Sequence, residues 1–322
     1  MTKTAFIFPG QGSQFIGMGL ELYDAFPEAR EVFDRADALL GFSLTEIMFG
    51  SGGEIYEEIE TLKKTEFTQP ALFTHSAAAM CVLESSDDRP DMTAGHSLGE
   101  YSALVAAGAI DFEEGLRIVR QRGLLMGKAG SRRAGTMAAV LGLDDSVVDN
   151  VCNQATSSDQ VVVAANYNSV GQVVISGDVE AVERATMLAK EAGARKAVIL
   201  PVSGAFHSPL MEHAREGLEE VLMGLELRQP TCPVYLNVTA QPATEVEEIR
   251  TRLIEQLTAP VRWSQTLTSM KEAGAGRFLE VGTGRVLSGL VRRTLGRETD
   301  TAHAGTSADM QKILEPASIS ES

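Results

Sequence analysis

Residues 95–100 read GHSLGE, a G-x-S-x-G turn. That spacing presents a serine hydroxyl on a sharp strand-to-helix turn, where it can attack an acyl carbon. Ser97 would stand at the N-terminus of the following helix, whose free N–H groups can hold a developing oxyanion. A serine that merely caps a βα turn has the same sequence, so the reading depends on a base. Five histidines are available. His75 lies in an apolar run and reads as core, His213 falls on a polar helix face, and His303 is close to the C-terminus. His96 adjoins Ser97, but neighbours on a tight turn diverge. His207, in PVSGAFHSPLM, falls on a loop between a strand and a helix and follows the serine, as the histidine does in α/β-hydrolases. No carboxylate stands out as the third member of a triad.

The elements that must position these residues follow from pattern. TKTAFIFPGQGSQ reads as a short buried strand broken by Pro9 and Gly10 into a glycine-rich loop. PEAREVFDRADALLG is an amphipathic helix, TQPALFTHSAAAMCVLESS a buried one, and DMTAGHSLGEYSALVAAGAI a strand, the serine turn and another buried helix. FEEGLRIVRQRGLLMGKAG is a further helix carrying Arg117, Arg120 and Arg122. From about Thr136 the order becomes β-α-β-β-α-β, a self-contained ferredoxin-like arrangement. We expect it to be a small domain, residues 134–203, inserted between two parts of a larger one, residues 1–133 and 204–322. The second part offers a helix from SPLMEHAREGLEEVLMGL, a strand from CPVYLNVT, and two helices parted at Pro260. RFLEVGTGRVLSGLVRRTLG then reads as strand, turn and helix, and EPASISES as a frayed tail.

Composition narrows the chemistry. At 322 residues with a net charge of −16, the chain has no basic surface for nucleic acid. The acidity fits either a salty cytoplasm or an ordinary acidic enzyme. No apolar run is long enough to span a membrane, and the N-terminus lacks the pattern of a signal peptide, so a cytoplasmic location is expected. Cys81, Cys152 and Cys232 have neither metal-ligand nor disulfide spacing and read as small buried apolar residues. GQGSQFIG and GTGRVLSG begin G-x-G, but Phe15 and Leu287 stand where a dinucleotide fingerprint needs its third glycine.

The segments FPGQGSQ, TQPAL, GHSLGEYSALVAAGAI, RQRGLLM, NYNSVGQVVISG, PVSGAFHSPLM, PVRW and EVGTGRVLSGL, in this order, resemble the malonyl-CoA:acyl-carrier-protein transacylases and the related acyltransferases of polyketide synthesis. The resemblance runs to about residue 296. It implies an α/β-hydrolase-like large domain with the ferredoxin-like domain inserted, and an acyl transfer in fatty acid or polyketide synthesis. It implies Ser97 as nucleophile, His207 as base, and the main-chain carbonyl of Gln256 as the acceptor that orients the histidine. The oxyanion hole maps to the N–H groups of Gln11 and Leu98. Arg122 matches the arginine that grips the malonyl carboxylate, whereas Arg117 and Arg120 read as solvated helix charges. Asn166 and Asn168 match positions lining the interdomain cleft, and Phe206, in GAFH, matches a signature for malonyl over methylmalonyl units. Malonyl-CoA and an acyl carrier protein are the implied partners of a monomer, without metal or redox cofactor. Carrier docking would need a local basic patch, with Lys63-Lys64, Arg132-Arg133, Arg195-Lys196 and Arg292-Arg293 as candidates. A proofreading acyl hydrolase would keep Ser97 and His207 but has no use for Arg122. A non-catalytic carrier-binding module would need none of the three together.

Overall fold

The computed structural model describes residues 2–202 and 204–315. Strand β1 (Lys3–Phe8) is followed by helices α1 (Leu20–Ala25), α2 (Pro27–Leu40), α3 (Leu44–Phe49), α4 (Ile55–Lys63) and α5 (Thr65–Leu83). Strand β2 (Met92–Gly95) leads through the serine turn into α6 (Gly99–Ala106) and then α7 (Phe112–Arg132). A second sheet is built from β3 (Gly135–Leu141), β4 (Val162–Ser169), β5 (Gln172–Asp178) and β6 (Lys196–Ile199), with α8 (Asp145–Ala155) and α9 (Val179–Glu191) between them. The chain continues through α10 (Glu212–Met223), β7 (Val234–Tyr235), β8 (Pro242–Ala243), α11 (Val246–Glu255) and α12 (Trp263–Glu272). It closes with β9 (Ala275–Val281), α13 (Val286–Leu295), β10 (Asp300–Ala304) and α14 (Ser307–Leu314).

The main sheet has the order β10-β9-β1-β2-β7-β8 and is parallel apart from the β7–β8 pair. Its central strand is apolar on both faces, as a parallel strand covered by helices must be. Phe6 and Phe8 point into the larger core with Phe33 and Phe73, while Ala5 and Ile7 point into a second one with Trp263 and Leu267. The other sheet is antiparallel, in the order β4-β5-β3-β6, and has a core of its own that includes Val140, Val148, Ile175 and Val182. It is fastened to the segment between α11 and α12. Tyr167 N–H donates to the Val261 carbonyl at 2.9 Å, and Val261 N–H donates to the Ala165 carbonyl at 2.8 Å. Among the described residues no helix is long and apolar enough to cross a membrane.

Several details differ from expectation. CPVYLNVT is a strand only at Val234–Tyr235; the main-chain groups of Asn237 bond Glu100 and the Arg262 N–H instead of a ladder. The pattern gave no sign of β10 and α14, whose DTAHA strand is only half-buried over most of its length. Cys152 is buried, but Cys81 and Cys232 are only partly so. Of the tail EPASISES, residues 316–322 lie outside the described residues.

Three loops meet at the carboxyl ends of β1, β2 and β9, where open parallel sheets place their ligands. His96 N–H donates to the Phe8 carbonyl at 3.0 Å, so the PGQG loop and the serine turn touch backbone to backbone. A Cβ on Gly10 would lie 2.3 Å from the His96 carbonyl oxygen, and one on Gly95 would lie 1.8 Å from the Gly99 carbonyl carbon. Gly127, mid-way along α7, has nothing within 4 Å of its Cβ position. Gly95→Ala should therefore cost about 1–3 kcal/mol or more through forced backbone shifts, while Gly127→Ala should gain about 0.5–1 kcal/mol of helix propensity. Urea midpoints of the two variants measure both signs, and a neutral Gly95→Ala would contradict the contact.

Candidate active site

Ser97 sits on the turn after β2 with φ of 52°, a left-handed conformation that a non-glycine residue adopts only under constraint. Its Oγ lies 2.8 Å from Nε2 of His207. His207 is buried and also left-handed, at φ 57°. Its Nδ1 faces two main-chain carbonyls, Gln256 O at 2.8 Å and Ala259 O at 3.2 Å. Carbonyls only accept, so Nδ1 carries the proton and Nε2 is left bare to accept from the Ser97 hydroxyl. Burial, reinforced by the positive charge of Arg122, pushes the imidazole down to about 3. His207 is thus a neutral acceptor at physiological pH.

Arg122 reaches the same point from α7. It is fully buried, and its Nη2 donates to Gln256 Oε1 at 2.8 Å and to Ser97 Oγ at 3.1 Å. The guanidinium lies 5.7 Å from the centre of the Tyr101 ring. Among the described residues no carboxylate comes within ion-pair range of it, and its Nε has no hydrogen-bond partner. Arg117 on the same helix is exposed as expected. Arg120 is not a solvated charge: it is half-buried over the rings of Phe42 and Phe67, at 5.1 and 5.0 Å, with Glu66 at 3.7 Å.

Gln256 does more than present its carbonyl. Its Nε2 donates to the Ser97 carbonyl at 3.0 Å. Because the peptide is planar and trans, fixing that C=O turns the Leu98 N–H to the opposite side. The main-chain N–H groups of Leu98 and Gln11 make no hydrogen bond among the described residues, which leaves both free for a ligand oxygen. The glycines of GTG do not form a phosphate loop; a Cβ on Gly282 would meet the Pro9 ring at 2.9 Å, so this turn buttresses the PGQG loop.

The remaining candidates divide. Asn168 on β4 joins the site indirectly, its Oδ1 lying 2.8 Å from Nε2 of His96. Asn166 is buried and its backbone bridges to Val261, away from the serine. Phe206 lies in the main core beside His207. His75 is a core residue, as expected, and His213 is on the surface near Glu216. His303 pairs with Glu280 on the sheet edge. Three residues at the site were not anticipated. Asn237 and Glu100 grip the serine turn from below, and Tyr101 lies under Arg122. An asparagine inside an otherwise apolar strand pattern was the available signal for the first. Glu100 looks in sequence like any acid in a first helical turn.

A half-buried serine hydrogen-bonded to a buried histidine, a base oriented by neutral carbonyls and a free Leu98 N–H next to the serine suit acyl transfer through a seryl ester. The chain belongs to the acyl transferase domain family, which matches residues 5–315. It is similar to the malonyl CoA-acyl carrier protein transacylase of Bacillus subtilis (strain 168), at 46% identity over 91% of this chain and 90% of the relative. The protein of that name from Staphylococcus aureus (strain MRSA252) is 42% identical over 91% and 92% of the two chains. Among solved structures, a malonyl-transacylase in complex with its type II PKS acyl-carrier protein superimposes with a TM-score of 0.91 at 42% identity, covering 98% of this chain and 99% of that one. The malonyl CoA-acyl carrier protein transacylase of Coxiella burnetii gives 0.91 at 38% identity, covering 97% of each chain.

The depressed basicity of His207 has a measurable sign. An unfolded histidine takes a proton near 6.5, whereas the native site refuses one until about 3. This group therefore disfavours folding progressively as pH falls below 6.5. Imidazole ¹⁵N spectra should keep His207 in its neutral, Nδ1-protonated form from pH 8 down to 5. Titration with a midpoint near 6.5 would contradict the buried geometry.

Proposed function

We propose that this protein moves a malonyl group from malonyl-CoA to the phosphopantetheine thiol of an acyl carrier protein, through an ester on Ser97. The observation that carries the reading is Arg122, a buried guanidinium beside the nucleophile with no carboxylate in ion-pair range among the described residues. Such a group calls for a ligand anion, and its planar fork suits a carboxylate bound by two parallel hydrogen bonds. Four relationships to proteins of that activity, cited above, support the assignment.

In the proposed cycle His207 Nε2 takes the Ser97 proton as Oγ attacks the thioester carbonyl. The N–H groups of Gln11 and Leu98 receive the oxyanion, and CoA departs as the thiol with the proton from His207. The carrier thiol then attacks the malonyl ester by the reverse path, restoring the serine. Every proton is carried by His207, so the cycle needs no metal or redox cofactor. Phe206, beside the base, would exclude an α-methyl branch, with Asn166 and Asn168 on the small-sheet side of the cleft.

We read the six-stranded unit as α/β-hydrolase-like and the antiparallel unit, roughly residues 134–203, as an inserted ferredoxin-like domain; the strand order and the separate cores support this division. We take the protein to be a monomer working in the cytoplasm. For carrier docking we favour the face around Arg292-Arg293. Two clefts of about 410 and 660 Å³ there are lined by Arg285, Arg292, Arg293, Arg297 and Lys312, close to the turn that buttresses the PGQG loop. Lys63 and Arg133 of the rival patches are occupied by Glu60 and Asp178. Fatty acid synthesis is the expected pathway. A polyketide carrier is the second reading, favoured by the carrier complex among the similar structures.

Malonyl-CoA alone should leave an ester on Ser97, seen by intact mass and lost in Ser97→Ala. Arg122→Ala should depress malonyl kcat/KM about 30- to several-thousand-fold, the loss of a buried charged pair worth roughly 2–5 kcal/mol. Acetyl transfer should hold or rise, and Arg122→Lys should recover only part of the loss. Phe206→Ser should raise methylmalonyl relative to malonyl transfer about tenfold. Equal loss of malonyl and acetyl transfer in Arg122→Ala would make the arginine structural and end the malonyl assignment.

A further inference from the structure

The left-handed serine has to be held there, and the groups that hold it lie beneath it. Asn237 is fully buried in the loop that follows β7. Its Oδ1 accepts from Ser97 N–H at 2.7 Å, and its Nδ2 donates to the Gly95 carbonyl at 2.7 Å. One amide side chain thus bridges two main-chain groups on either side of His96, across the turn that carries the nucleophile. The amide is itself fixed at both backbone ends. Its N–H donates to Glu100 Oε2 at 2.7 Å, and its carbonyl accepts from Arg262 N–H at 3.0 Å. Glu100 is fully buried and its other oxygen has no hydrogen-bond partner among the described residues. Burying a carboxyl in that state is costly, so a surface acid would not be placed here without a task. A second sign points to the same loop. The described non-glycine residues with positive φ are Ser97, His207 and Ala240, and Ala240 closes the loop that presents Asn237, its N–H donating to the Leu236 carbonyl at 2.8 Å.

We propose that Asn237 is a positioning residue of this site: it clamps the serine turn between Gly95 and Ser97, and Glu100 locks the clamp through the Asn237 N–H. The proposal rests on the reading of Ser97 as nucleophile and adds the device that keeps its Oγ aligned with His207. Loss of the clamp lets the turn relax toward an ordinary conformation, which moves Oγ away from Nε2 while leaving Arg122 and the acyl pocket intact. The consequence is a loss in the chemical step with little change in substrate binding.

A fluorophosphonate probe reads serine alignment without calling on malonyl recognition. Asn237→Ala should label at Ser97 about 30- to 100-fold more slowly than wild type, the scale of a displacement near 1 Å, measured by intact mass against time. Its malonyl-ester formation should fall by a similar factor in kcat, with KM changed by less than about threefold. Glu100→Leu removes the acceptor of the lock and should label as slowly. Glu100→Gln keeps an acceptor oxygen and should recover at least about tenfold of that loss. If Asn237→Ala does not fold, the two Glu100 variants carry the test. Labelling of Asn237→Ala at the wild-type rate, or of Glu100→Leu at the Glu100→Gln rate, overturns the proposal. A wild type that takes no label at Ser97 overturns the nucleophile assignment beneath it, an outcome distinct from a labelled wild type with indifferent variants.

Discussion

A guanidinium buried with no carboxylate in ion-pair range among the described residues is the constraint on which the rest of the site depends. Removing an arginine from water costs several kcal/mol even after relaxation, and a partner carboxylate is the usual remedy. Here the cation is held by weaker means: the side-chain oxygen of Gln256, the Ser97 hydroxyl and the face of Tyr101. Glu100 lies further off. Burial raises that carboxyl to about 7, against the opposing pull of the Asn237 N–H and the charge of Arg122, so it is only partly charged at neutral pH. On the proposed reading, the stability given up here is the counterpart of an anion-binding capacity that an internal ion pair would abolish.

The same constraint accounts for a base without a carboxylate partner. A histidine tautomer can be fixed by any acceptor at Nδ1, and an aspartate is the familiar choice. An aspartate behind His207 would place a second negative charge near the guanidinium and repel a carboxylate bound there. Two neutral carbonyls from the α11–α12 connection orient the ring and leave the cation unopposed. The arrangement also couples recognition to reactivity. The charge of Arg122 is the second cause, after burial, of the weak basicity of His207. On the proposed reading, a carboxylate seated on Arg122 would offset that contribution and strengthen the base when the acyl group is present.

How much of this could be read from the chain follows from what each residue's role depends on. Ser97 was legible because the turn that exposes it is local, and His207 because a loop histidine after a strand has few alternatives. Arg122 was assigned by resemblance, yet its helix carried a physical signal. Val119 and Met126 lie three before and four after it, so an arginine stands on the buried stripe of α7. Arg120, two positions earlier, faces the other way and was misread because its aromatic neighbours come from elsewhere in the chain, Phe42 and Phe67. The short apolar run of β1 and the βαββαβ order of residues 135–199 were equally local and equally legible. Asn237 was not, since its partners are more than a hundred residues away. The carbonyl of Gln256 was placed by resemblance alone, since every residue type possesses one. The pattern that marks an element is local, whereas a clamp is made by tertiary contact.

Left-handed backbone at Ser97, His207 and Ala240 ties these threads together. Each non-glycine residue in that region costs on the order of 1–3 kcal/mol and persists only where its surroundings over-determine it. Ser97 is gripped at its N–H by Asn237, at its carbonyl by Gln256 and at its hydroxyl by His207 and Arg122. His207 is held through Nδ1 by the chain between α11 and α12, the same stretch to which β4 of the second sheet is fastened. The nucleophile, the base and the anion-binding arginine are therefore not three independent placements. Gln256 alone touches all of them, with its carbonyl on His207, its amide nitrogen on the Ser97 carbonyl and its amide oxygen on Arg122. One residue thus contacts all three, which is why its carbonyl, rather than a separate carboxylate, can serve as the third element of this site.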